Sequence, residues 1–105
     1  MNKENCTFGQ MIQNLRRKRG LNIKDLIKLL EGKELNVSPS YMTRIEVHHE
    51  IPSPKLTCAL ADVLEYDVEE LTELAKRDKH EQNRQRIDEK YDAGVVLYKK
   101  EKKTR

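Results

Sequence analysis

The sequence predicts an all-α fold: a compact five-helix domain followed by a charged C-terminal extension. Three observations lead there. Apolar residues recur at helical spacing between Phe8 and Ala75. Each periodic stretch is preceded by a side chain suited to capping a helix, namely Thr7, Asn22, Ser38, Ser53 and Asp67. The stretches follow one another through short connections, as they do in small helical domains.

Thr7 with Gln10 forms a capping box, in which each side chain serves the other's backbone amide. Phe8, Met11, Ile12 and Leu15 make the inner stripe of the first helix, and Gly20 ends it. Asn22 caps the second helix, with Asp25 in its first turn and Ile23, Leu26, Ile27 and Leu30 on its apolar face. Gly32 is the expected stop, and residues 33–37 connect onward. Ser38-Pro39 and Ser53-Pro54 open the third and fourth helices, Ser as cap and Pro at the first helical position. Leu56, Leu60, Val63 and Leu64 line the fourth helix; Leu71, Leu74 and Ala75 line the fifth. The domain is expected to span residues 7–75.

Beyond Ala75 the apolar signal stops. Residues 76–86 hold no apolar side chain and read as a solvated helix extension or a linker within the 76–105 extension. Ile87 and Tyr91 lie one helical turn apart. Gly94 is expected to break any helix, and Val95, Val96, Leu97 and Tyr98 form a strand-like run. Residues 87–98 are a candidate association segment, joining two copies or a partner protein, because such a cluster would otherwise lie exposed. Residues 99–105 form a basic tail.

Composition narrows the function. Apolar residues make up 36% of the chain and charged residues 37%, the balance of a small domain with charged margins. No apolar run approaches the roughly 20 residues of a membrane span. The polar start predicts no secretory leader and a cytoplasmic location. Cys6 and Cys58 form no C-x-x-C pair, so free thiols are expected, with no metal and no cofactor. Adjacent His48 and His49 lack the i, i+4 spacing of a helical zinc pair. No nucleophile–base signature or Gly-rich phosphate loop is present, which argues against an enzyme. Net charge is +3 overall, distributed as +4 over residues 1–20, −5 over 21–98 and +4 over 99–105. Any nucleic-acid site must therefore be a local patch.

The third helix suggests where that patch lies. Met42 and Ile45 point one way, with Tyr41 and Glu46 at the flanks; Ser40, Thr43, Arg44 and Val47 face the other way. Short hydroxyls, one Arg and one apolar group let a helix approach base edges closely. Arg can pair with the two acceptors of guanine, a hydroxyl can bond either way, and a methyl can touch thymine. The same composition also suits a solvated surface helix.

The order FGQMIQNLRRKRGLNIKDLIKLL, then VSPSYMTRIE, then IPSPKLTCALADVLEYDVEELTEL resembles the XRE family of helix-turn-helix proteins, which includes the lambda repressor and Cro. The resemblance covers about residues 7–75. It implies a lambda-repressor-like DNA-binding domain whose third helix, 39–48, enters the major groove. It further implies base reading by Pro39, Ser40, Thr43 and Arg44, and backbone or flanking contacts from Lys33, Tyr41, Val47, His48, His49 and Lys55. Arg16 and Glu46 match a structural salt bridge of the family. Pro39 has no donor to offer a base, Val47 stands where a polar phosphate contact is common, and Ile23 replaces a frequent Gln. The connector after the second helix is longer than the usual four-residue turn.

These readings converge on a sequence-specific regulator of transcription, a repressor in the expected sense, that binds double-stranded DNA as a homodimer. Two alternatives stay open: an antitoxin that autoregulates its operon, and a protein-interaction module on the same fold. The association residues would be Ile87, Tyr91, Val95, Val96, Leu97 and Tyr98.

Overall fold

A computed structural model describes residues 6–103, with side chains through Lys100. Residues 1–5 of the polar start, and Thr104 and Arg105 of the basic tail, lie outside the described residues. Five helices follow in order: α1 (Phe8–Lys18), α2 (Ile23–Glu31), α3 (Pro39–Val47), α4 (Pro54–Val63) and α5 (Val68–Lys103). No strand occurs among the described residues.

The helix starts are chemically explicit. Thr7 and Gln10 complete a capping box, with Gln10 N–H donating to Thr7 Oγ1 and Thr7 N–H to Gln10 Oε1. Asn22 and Asp25 do the same for α2. Ser38 and Ser53 accept from Tyr41 N–H and Leu56 N–H, each ahead of a Pro at the first helical position. Asp67 accepts from Glu70 N–H at the head of α5. Each cap satisfies an amide that would otherwise lack a partner.

Three helix ends share one device. Leu21 N–H donates to Arg16 C=O, Leu35 N–H to Leu30 C=O, and Tyr66 N–H to Ala61 C=O. The residue before each donor takes the left-handed conformation: Gly20 at φ 70°, Glu34 at 62° and Glu65 at 55°. These are Schellman ends, and at Gly20 the geometry suits the residue. Gly32 ends α2 as expected, standing directly after Glu31 as its cap, but it does so in the right-handed conformation at φ −63°. The turn tightens through Gly32 and Lys33, and Glu34 takes the glycine-like position. Leu35 and Val37 then tuck against the core, which makes 32–38 an anchored connector.

Phe8, Ile12, Leu26, Leu30, Met42, Ile45, Leu60 and Leu71 are fully buried at the centre. The closest approach is between α1 and α3. A Cβ on Gly9 would meet the carbonyl oxygens of Ile45 and, at 2.7 Å, Glu46, so only glycine lets the two backbones come this near. Beside it Arg16 grips Glu46 with two hydrogen bonds, Nε to Oε2 at 2.9 Å and Nη2 to Oε1 at 3.0 Å. Arg16 Nη1 also donates to Leu21 C=O at 2.8 Å. The bond to Glu46 holds the Arg16 guanidinium above its ordinary range. Arg16 and Glu46 are thus a largely buried ion pair that ties α1 to α3.

The extension departs from expectation. Residues 94–98 do not form a strand, and Gly94 does not break the helix: α5 runs through both to Lys103. A strand there would have no neighbour to satisfy its amides, whereas the helix bonds its own. One glycine costs about 1 kcal/mol against alanine, a penalty the surrounding Glu, Lys, Arg and Gln offset by propensity. Nor does packing cease at Ala75. Asp78 Oδ2 accepts from Phe8 N–H at 2.7 Å, Arg77 donates to Cys6 C=O, and Gln82 Nε2 donates to His49 C=O. Cys6 is buried, and burial pushes its thiol above the ordinary range.

The Arg16–Glu46 pair yields an unfolding prediction. Glu46→Ala leaves a guanidinium uncompensated in the interior and should destabilise the fold by about 3 kcal/mol. Replacing both partners with apolar residues of similar volume should cost much less. Denaturant unfolding of the three proteins measures both, and equal losses would contradict the account.

Candidate nucleic-acid interface

Helix α3 is two-faced. Met42, Ile45 and Glu46 are buried, Tyr41 is half-buried, and Ser40, Thr43, Arg44 and Val47 are exposed together with Pro39. The helix takes this orientation because Met42 and Ile45 enter the core and Glu46 is fixed by Arg16. The outer face has no apolar reason to be where it is. Val47 is 54% exposed, an uncovered apolar side chain on a helix whose other apolar groups are inside.

Arg44 stands at the middle of this face. Its guanidinium carbon lies 5.2 Å from the centroid of the Tyr41 ring, a stacking that restrains a long side chain. On its other side Nη2 lies 3.8 Å from Glu50 Oε1. Both partners are largely exposed, so this ion pair is weak and exchangeable. Arg44 also borders two depressions. One, of about 500 Å³, runs between the 35–38 connector, Tyr41 and the start of α4. The other, about 620 Å³, lies between the end of α3 and α5, with His48, His49, Lys79 and Arg86 among its walls. Glu50, Glu81 and Glu89 line that second groove too, so its charge is mixed.

The remaining candidates divide. Thr43 Oγ1 donates back to Pro39 C=O at 3.1 Å, a bond within the helix that occupies the hydroxyl proton and leaves the oxygen able to accept. α3 ends at Val47, one residue before the expected limit. His48 is its cap and His49 follows at φ 61°, so the two histidines do not share a helix. Lys55 is exposed on the first turn of α4. Lys33 pairs with Asp62 of α4, so contact with a phosphate would require it to leave that carboxylate. Among the described residues, no three His, Cys, Asp or Glu side chains converge as a metal site requires. No described helix is long and apolar enough to cross a membrane.

Sequence reasoning missed Glu50, Asp78 and Gln82. Glu50 follows the end of α3 and carries no motif. Asp78 and Gln82 had a signal: with Leu71 and Ala75 they continue one helical stripe at i+4 and i+3 spacing, polar where the stripe meets loop backbone and not core. Comparison with family models, curated proteins and solved structures returns no significant match to the chain. The candidate residues therefore stand on their geometry and chemistry.

A face without duties in the core should tolerate truncation. Ser40→Ala and Arg44→Ala are expected to leave unfolding free energy within about 0.5 kcal/mol of the parent protein. A loss above about 2 kcal/mol in either would show that the side chain serves the fold, since only named structural roles carry such costs.

Proposed function

We propose that this chain is a sequence-specific double-stranded DNA-binding regulator of the lambda-repressor-like helix-turn-helix kind, acting by occupying its site and so repressing transcription. The observation that carries the proposal is the exposed face of α3. It presents Arg44 centrally, with Ser40, Thr43 and Val47 around it, on a helix whose opposite face is locked into the core. The major groove of B-DNA admits such a helix.

In this reading α3 lies in the groove with Arg44 donating two hydrogen bonds to guanine O6 and N7. Tyr41 keeps the guanidinium extended, and Glu50 releases it when guanine offers better acceptors. Val47 meets a thymine methyl, and the Ser40 and Thr43 hydroxyls lie near base edges. Pro39, without a donor, shapes the approach by contact alone. Lys55 on α4, with His48 and His49 at the end of α3, supplies backbone contacts in this reading, which fix register without reading sequence. The sequence resemblance to the XRE family supports the same assignment.

The roles separate experimentally. Arg44→Ala should cost about 1–3 kcal/mol on a preferred site and relax preference at one base pair. Lys55→Ala should weaken every duplex to a similar degree and shallow the salt dependence by about one unit of log–log slope. Fluorescence anisotropy against specific and scrambled duplexes at several salt concentrations measures this. No binding to any duplex at low salt would contradict the proposal.

A further inference from the structure

An acidic side chain stands beside Arg44 on the outer side of α3. Glu50 follows the end of that helix by three residues, and its Oε1 lies 3.8 Å from Arg44 Nη2. The ion pair is weak, but the placement of the carboxylate does not rest on it alone. Glu50 N–H donates to Arg44 C=O at 3.1 Å, and His48 N–H shares that carbonyl at 2.9 Å. His49 makes the turn between them at φ 61°, and Gln82 Nε2 holds the His49 carbonyl at 2.7 Å. On the other side Ile51 packs against the core and Pro52 is buried. Backbone bonds and packing on both sides therefore fix where Glu50 leaves the chain.

An acid at this place is unfavourable toward phosphate. An ionised carboxylate accepts hydrogen bonds and donates none, so it cannot bind a phosphate oxygen. Near the DNA backbone its charge lowers affinity for every duplex. What a carboxylate can bind in the major groove is an amino group. The edge of a G·C pair presents, in order, guanine N7 and O6 as acceptors and cytosine N4 as donor. O6 and N4 are bonded to each other in the pair, so they lie about 3 Å apart. The Arg44 and Glu50 tips stand at a similar spacing, a donor next to an acceptor.

We propose that Glu50 is a second base-reading residue, accepting from the N4 amino group of the cytosine paired with the guanine that Arg44 holds. The inference rests on the DNA reading above and deepens it. The two side chains match a whole base-pair edge: donor, donor and acceptor meet acceptor, acceptor and donor. An A·T pair presents N7, N6 and O4 instead. It sets the adenine amino group against Arg44 and thymine O4 against the carboxylate, each like facing like. Glu50 thus lowers affinity in general while widening the gap between right and wrong sites.

The test begins with duplexes selected from a random pool by the parent protein, among which Arg44→Ala identifies the base pair in question. Fluorescence anisotropy then compares that site with one carrying A·T at the pair, for the parent, Glu50→Ala and Glu50→Gln. Each variant keeps the backbone bond to Arg44. Glu50→Ala should lose about fivefold or more of the preference for G·C over A·T. Glu50→Gln keeps an acceptor oxygen and should retain more of that preference. A third duplex carries N4-methylcytosine opposite the guanine, which keeps the pairing hydrogen and removes the one exposed in the groove. It should weaken the parent by about fivefold or more and Glu50→Ala by less than about twofold. An unchanged preference in Glu50→Ala, or equal sensitivity of the two proteins to the methyl group, would overturn the proposal and leave the DNA reading standing. No enriched motif from the parent, or no base pair relaxed by Arg44→Ala, would overturn both.

Discussion

The approach of α1 to α3 governs the arrangement of the whole molecule. It has two parts that need each other. Gly9 removes the one Cβ that would hold the backbones apart, since that atom would fall on the carbonyls of Ile45 and Glu46. Arg16 and Glu46 then fix rotation, because a bidentate bond admits little turning of either helix. A buried ion pair adds little net stability compared with apolar packing, but it specifies an orientation. Here the orientation settles which side of α3 is inside. With Glu46 held, Met42 and Ile45 enter the core, and Ser40, Thr43, Arg44 and Val47 have no course but outward.

The long α5 reinforces this same corner. Asp78 caps the first amide of α1, Arg77 binds the Cys6 carbonyl just before it, and Gln82 binds the His49 carbonyl just after α3. One helix thus closes the start of α1 and the end of α3. The candidate face is supported from behind by the core and at its edge by α5. The same helix then continues away from the body, which accounts for a longest dimension of 64 Å in a chain of 105 residues.

Much of the fold was legible in the sequence because caps are local chemistry. Thr7 with Gln10, Asn22 with Asp25, and the two Ser-Pro pairs declare helix starts without reference to anything distant. Helix ends were less legible. The left-handed position fell on Gly20 as glycine preference suggests, but on Glu34 instead of Gly32, where the need to tuck Leu35 inward outweighs the conformational cost. The 94–98 run misled because β-branched residues favour strands only when a sheet exists to receive them. As for the site, the helical wheel separated the inner from the outer face of α3 correctly. It had no means of showing Glu50 beside Arg44, or Asp62 beside Lys33, since those meetings depend on how loops and α4 pack.

The proposed account makes the outer face of α3 a reader of DNA sequence, a claim broader than the contribution of any one side chain. Selection of bound duplexes from a random pool tests it most directly, with the full chain at low salt. The account predicts enrichment of a short motif containing a guanine at a fixed position, in two inverted copies if two chains bind together. A recovered pool indistinguishable in sequence from the input would contradict it, whatever the affinity.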